Sequence, residues 1–114
     1  MGAVPNASML RWQRDAHKAL AGLLKLNDLP VVTWTIPVSG ALVGDVDSLT
    51  SKPAEMRAAF DAWARQLGAT VTPERTSSDG AIHLYGKFRL DVGYGVGGAI
   101  RATIHPPFDG GDEQ

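Results

Sequence analysis

Apolar positions along this chain change period several times, and each change marks an element. Between residues 8 and 26, Met9, Trp12, Ala16, Leu20, Leu23 and Leu24 recur at steps of three and four, the spacing of one helical face. Arg11, Arg14, Lys18 and Lys25 occupy the opposite side. Ser8 or Asn6 offers a capping oxygen. Asn27-Asp28-Leu29-Pro30 ends the helix, because the residue before a proline avoids helical dihedrals. A second helix is predicted over 53–67, with Met56, Phe60, Trp63 and Leu67 on one side. Pro53 suits its first turn, Ser51 its cap and Glu55 its positive end, and Gly68 supplies a left-handed stop. Arg57, Asp61 and Arg65 follow at steps of four and predict an exposed ion ladder.

Elsewhere the period is two. In 31–38, Val32, Trp34, Ile36 and Val38 share one face, with Thr33 and Thr35 on the other. Pro37 has no N–H for a ladder, which predicts an edge strand. Residues 42–48 read as its hairpin partner. A three-residue Ser39-Gly40-Ala41 turn sets Val38 opposite Leu42 and Trp34 opposite Val46, whereas a two-residue turn would set Trp34 against Asp45. The first keeps the buried face apolar and is preferred. Three further strands are predicted over 69–75, 81–91 and 97–105, with Ser77-Ser78-Asp79-Gly80 as the turn between the first two. Ile82, Leu84, Phe88, Leu90 and Val92 alternate with His83, Tyr85, Lys87, Arg89 and Asp91. Gly98, Ile100, Ala102 and Ile104 alternate with Ala99, Arg101, Thr103 and His105. Such alternation predicts half-solvated antiparallel strands.

The expected fold is α+β in the order α-β-β-α-β-β-β. Two amphipathic helices pack on one face of an antiparallel sheet of four to five strands, since each element must bury one apolar side. Trp12, Trp34 and Trp63 all fall on predicted apolar faces and are assigned to the core.

Composition adds limits. The 114 residues are 44% hydrophobic and 20% charged, ordinary for one soluble domain. That domain is expected over 8–108, between flexible segments at 1–7 and 109–114. The absence of cysteine excludes disulfides, thiolate metal sites and thiol nucleophiles, and favours a cytoplasmic location. No run reaches the ~18 apolar residues of a membrane span, and MGAVPNASM lacks the pattern of a secretory leader, so no membrane association is expected. The net charge of −1 conceals an asymmetry. Three of the twelve acids lie in 109–114, leaving nine against eleven Lys and Arg in the rest. That excess is too mild to argue for nucleic acid.

Gly93-Tyr94-Gly95-Val96-Gly97-Gly98 matches G-x-G-x-x-G literally. In dinucleotide-binding proteins this pattern joins a strand to a helix, whose free N–H groups hold the pyrophosphate. Here AIRATIH follows with period two, and only 16 residues remain after Gly98. A kinase-type glycine loop fails as well, for want of chain to carry its other motifs. Gly93, Gly95, Gly97 and Gly98 are read instead as a hairpin loop. No nucleotide or other cofactor is expected.

That hairpin gathers His83, Tyr85, Lys87 and Arg89 beside Arg101, Thr103 and His105 on one sheet face. Guanidinium and ammonium groups suit anions, and a tyrosine adds stacking or a hydrogen bond. Asp45 and Asp47, two apart on one strand, are too few to hold a metal. His17, His83 and His105 lack metal-site spacing. No G-x-S-x-G elbow accompanies the serines. The stretches SLTSKPAEMRAAFDAWARQLGATV and GGAIRATIHPP resemble small actinomycete-type proteins with no assigned activity, a resemblance that implies no functional residue.

The sequence thus favours a non-catalytic interaction or binding module with a protein partner, or a second copy of itself, on its polar, partly basic face. A second reading is a small enzyme or ligand binder near the glycine loop, using His83, His105 or Tyr85. A third is weak nucleic-acid binding.

Overall fold

The computed structural model describes residues 6–26, 28–46, 52–91, 93 and 95–105. Two helices lie on one face of a mixed sheet, an α+β arrangement. The elements are α1 (Asn6–Leu23), β1 (Thr33–Thr35), β2 (Leu42–Asp45), α2 (Pro53–Leu67), β3 (Thr70–Val71), β4 (Arg75–Thr76), β5 (Ile82–Leu90) and β6 (Val96–Ile104). The sheet runs β1-β2-β6-β5-β3, with β4 also on β5.

Among the described residues the sheet has six strands rather than four or five, and they are not all antiparallel. β2 pairs with β6 in parallel, while every other pair is antiparallel. The chain leaves β2 and crosses over through α2. It returns so that β6, the last strand, enters between β2 and β5. A crossover with a helix is what parallel neighbours require.

Gly98 makes this pairing possible. It stands opposite Leu42, and a Cβ there would run into the Leu42 carbonyl oxygen and the Phe88 ring. Gly97 and Gly98 therefore belong to β6, not to the hairpin loop, because the ladder already begins at Leu90 opposite Val96. Gly93 (φ 61) and Gly95 (φ 100) do lie in the loop, at dihedrals that favour glycine. Val92 and Tyr94 lie outside the described residues.

The β1–β2 register sets Trp34 opposite Gly44 and Thr33 opposite Asp45. The face of Trp34 is as expected, but the pairing is displaced by two residues from the Trp34–Val46 register. Gly44 explains the displacement: a Cβ at that position would meet the Trp34 ring at 2.8 Å. Trp34 then packs edge-on against Trp63, with ring centroids 5.3 Å apart and an interplanar angle of 80°. Trp63, buried at 3% exposure, donates its indole N–H to the Pro30 carbonyl at 2.6 Å. Trp12 is 40% exposed and is not a core residue. α1 instead buries Ala16, Ala19 and Leu23, and the two small alanines allow close approach to β6. Leu24, beyond the last helical turn, is 64% exposed.

α2 buries Met56, Ala59, Phe60, Trp63, Ala64 and Leu67. They meet Leu84 and Phe88 from β5 and Val96, Ile100 and Ile104 from β6 in one core. Each fully buried side chain of this size stabilises by about 1.5–3 kcal/mol. The helix starts with Pro53 after Lys52, whose backbone N–H donates to Glu55 Oε1 at 3.0 Å. Lys52 is thus the N-cap, and Ser51 lies outside the described residues. Gly68 closes the helix at φ 64. Arg57 turns not along the helix but across to Glu74, with which it pairs.

One bulge settles which charge points where. Val71 pairs with Gly86 and Arg75 with His83, so four steps on one strand match three on the other. The extra residue falls around Pro73, which has no N–H to offer. Without it, Glu74 would stand opposite His83. With it, Arg75 takes that position and Glu74 turns to Arg57 of α2.

Candidate binding face

Among the described residues, no helix packs on the other face of the sheet. Directly paired residues share a face, so the ladders read as rows across it. One row runs Thr33–Asp45–Arg101–Tyr85, and a second runs Thr103–His83–Arg75. A third runs Thr35–Val43–Ala99–Lys87–Thr70. Arg89 stands opposite Gly97. Tyr85, Lys87, Arg89 and Arg101 are all exposed, as their alternation with Leu84, Phe88, Ile100 and Ala102 requires. Ala99 is the exception: it is buried although it belongs to the open side.

Arg101 is held in place. Its Nε donates to Asp45 Oδ1 at 2.6 Å and its Nη2 to Asp45 Oδ2 at 3.3 Å. The bond to the Asp45 carboxylate raises the guanidinium pKa further above its ordinary value. The pair is about half exposed on both sides, so it fixes geometry more than it adds stability. With one carboxylate oxygen to each donor, Asp45 is committed to Arg101. Asp47, the other acid of that strand, lies outside the described residues. Among the described residues no cluster of three or more His, Asp or Glu is placed to hold a metal ion.

Around Arg101 the face forms a concavity of about 540 Å³, lined by Asp45, Arg75, His83, Tyr85, Arg101 and Thr103, together with Thr72 and Pro73. His83 Nδ1 lies 3.4 Å from Thr103 Oγ1. The Thr72 backbone N–H donates to the Tyr85 carbonyl at 3.0 Å. Asp45, Thr72 and Arg75 have no place in the cluster expected from sequence alone. Arg75 was legible as a strand residue, but its face depends on the bulge. Asp45 joins only because β2 lies beside β6.

His105 ends beyond β6 and does not line the concavity. It contributes instead to the field on Asp79, whose pKa is lowered first by the Ser77 hydroxyl, then by the Ala81 N–H and, to a smaller extent, by His105.

The glycine loop sits at the opposite end of the hairpin from His83 and Tyr85, which face Thr103 and Arg101. The loop end has its own recess of about 330 Å³, lined by Trp12, Asp15, Ser39, Gly40, Arg89 and Gly95. Here the Asp15 carboxylate crowds Gly93 and the Arg89 guanidinium crowds Gly95. A side chain at either glycine would therefore meet one of these groups. None of His83, Tyr85 or His105 lines this recess, so they form no common site with the glycines.

No helix among the described residues is long and apolar enough to cross a membrane. No protein-family model, curated protein or solved structure matches this chain.

Proposed function

We propose that the domain is a non-catalytic binding module that docks an acidic partner surface on the bare side of its sheet. The observation that supports this is the charge of that side. Arg75, Lys87, Arg89 and Arg101 stand along it, while Asp45 is engaged by Arg101 and Asp91 lies at the end of β5. Pairing two such faces would oppose like charges, so the charge favours a different, acidic protein over a second copy. Complementary charge of this kind speeds encounter and selects partners more than it adds affinity.

The test is a charge reversal, Arg75→Glu with Lys87→Glu and Arg89→Glu. Partners captured by the unaltered protein should be lost by the variant, with the melting temperature within a few degrees. An unchanged set of partners, at low and moderate salt, would remove the bare face from consideration.

A further inference from the structure

We infer that the concavity between Arg75 and Arg101 seats a single oxyanion, a phosphate or carboxylate group carried by the acidic protein partner. The inference rests on the binding face proposed above and names the chemistry at its centre.

Three features meet at this point. The first is a guanidinium set beside an imidazole. Arg75 stands directly across from His83. The bulge at Pro73 creates this pairing by turning Glu74, which would otherwise take the place of Arg75, away to Arg57. An anion seated there would meet the charge of the Arg75 guanidinium.

The second is a guanidinium already fixed in position. Asp45 takes the Nε and one Nη2 donor of Arg101. Five N–H donors make up the guanidinium fork, so three remain for a ligand. Because Asp45 restrains the fork, less side-chain freedom is lost when those donors bind. Asp45 also balances the charge of Arg101, leaving Arg75 as the net positive group.

The third is shape. The concavity, about 540 Å³, falls within the ~300–1,000 Å³ of small-molecule sites. It has room for an anionic group and for part of what carries it, with Tyr85 and Thr103 alongside. The recess beside α2 is a counterexample within the same molecule. It is rimmed by Asp28 and Glu55 and lined by Val31, Val32, Ala58 and Ala59, a setting that repels anions.

The experiment titrates the isotope-labelled full chain with inorganic phosphate and, separately, with acetate, at constant ionic strength. Saturable backbone and histidine-ring shifts are expected at 72–76, 83–85 and 101–103. Saturation by phosphate alone assigns a phosphate group, saturation by acetate alone a carboxylate, and saturation by both the shared oxyanion chemistry. Arg75→Ala should weaken binding about tenfold, one decade of affinity. Lys18→Ala, on the exposed side of α1, should change it by less than about twofold, well inside that decade, and both variants should keep the unaltered melting temperature. Shifts that never saturate, that are equally strong at Arg11, Arg14 and Lys18, or that persist in Arg75→Ala would overturn the inference. If phosphate and acetate fail while the charge-reversed face still loses its partner, the docking face stands and the oxyanion seat does not.

Discussion

Ile100 and Arg101 are consecutive residues with opposite fates. Ile100 has no exposed surface and sits in the core with Phe60 and Phe88. Arg101 stands in solvent and holds Asp45. The same division runs along β5 and β6: Leu84, Phe88, Ala102 and Ile104 are buried, while Tyr85, Lys87 and Arg89 are exposed. One side of the sheet therefore carries the core and the other faces solvent. Mutations one residue apart should fall into separate phenotypes.

The sharpest way to break that division is to truncate the covered side. Ile100→Ala should lower unfolding stability by about 2–5 kcal/mol, the range for a core aliphatic cut back to alanine. Arg89→Ala should change it by less than about 0.5 kcal/mol. Denaturant melts of the two variants side by side provide the check, and similar losses would mean the two faces are not separate.

A second change probes the seam that joins them. Gly98→Ala adds one methyl where β6 meets the Leu42 carbonyl and the Phe88 ring. It should cost about 1–3 kcal/mol, the usual price of overpacking. Amide exchange should show the loss concentrated in β2 and its parallel partner, and uniform loosening of the sheet would contradict the seam.

The smallest effect lies outside both faces, in the Ser77–Gly80 turn. Asp79 accepts from the Ser77 hydroxyl and from the Ala81 N–H at 3.1 Å, which lowers its pKa in the folded state. A carboxylate shifted in this direction contributes stability above its unfolded pKa. That contribution fades as pH falls through the lowered folded value. The unaltered chain and Asp79→Ala should therefore differ slightly in melting temperature at neutral pH and converge in acid. A gap that holds constant down to low pH would show that the carboxylate charge plays no part.

Several features were legible in the sequence because their causes are local. Alternation along 82–90 and 99–104 assigned those side chains of the long hairpin to their faces, since adjacent strand residues point oppositely whatever the partner. Pro53 and Gly68 bracketed α2 to the residue. Local pattern failed where a neighbour decided. Trp12 fits the apolar spacing of α1, yet that helix touches the sheet through alanines and leaves the ring 40% exposed. Arg57 has Asp61 one turn away but reaches Glu74 instead. Gly97 and Gly98 complete a glycine motif on paper, and a ladder runs through both.

What the sequence determined by itself was the class of fold, the two helices, and the separation of a basic side from an apolar side, because period and turn chemistry act over a few residues. Only the tertiary structure decided that β6 lies parallel to β2, bringing Asp45 to Arg101. It alone decided that a bulge at Pro73 sends Arg75 rather than Glu74 to the open face. Both depend on contacts between segments far apart in the chain, where steric fit at Gly98 and a missing proline donor outweigh any local preference.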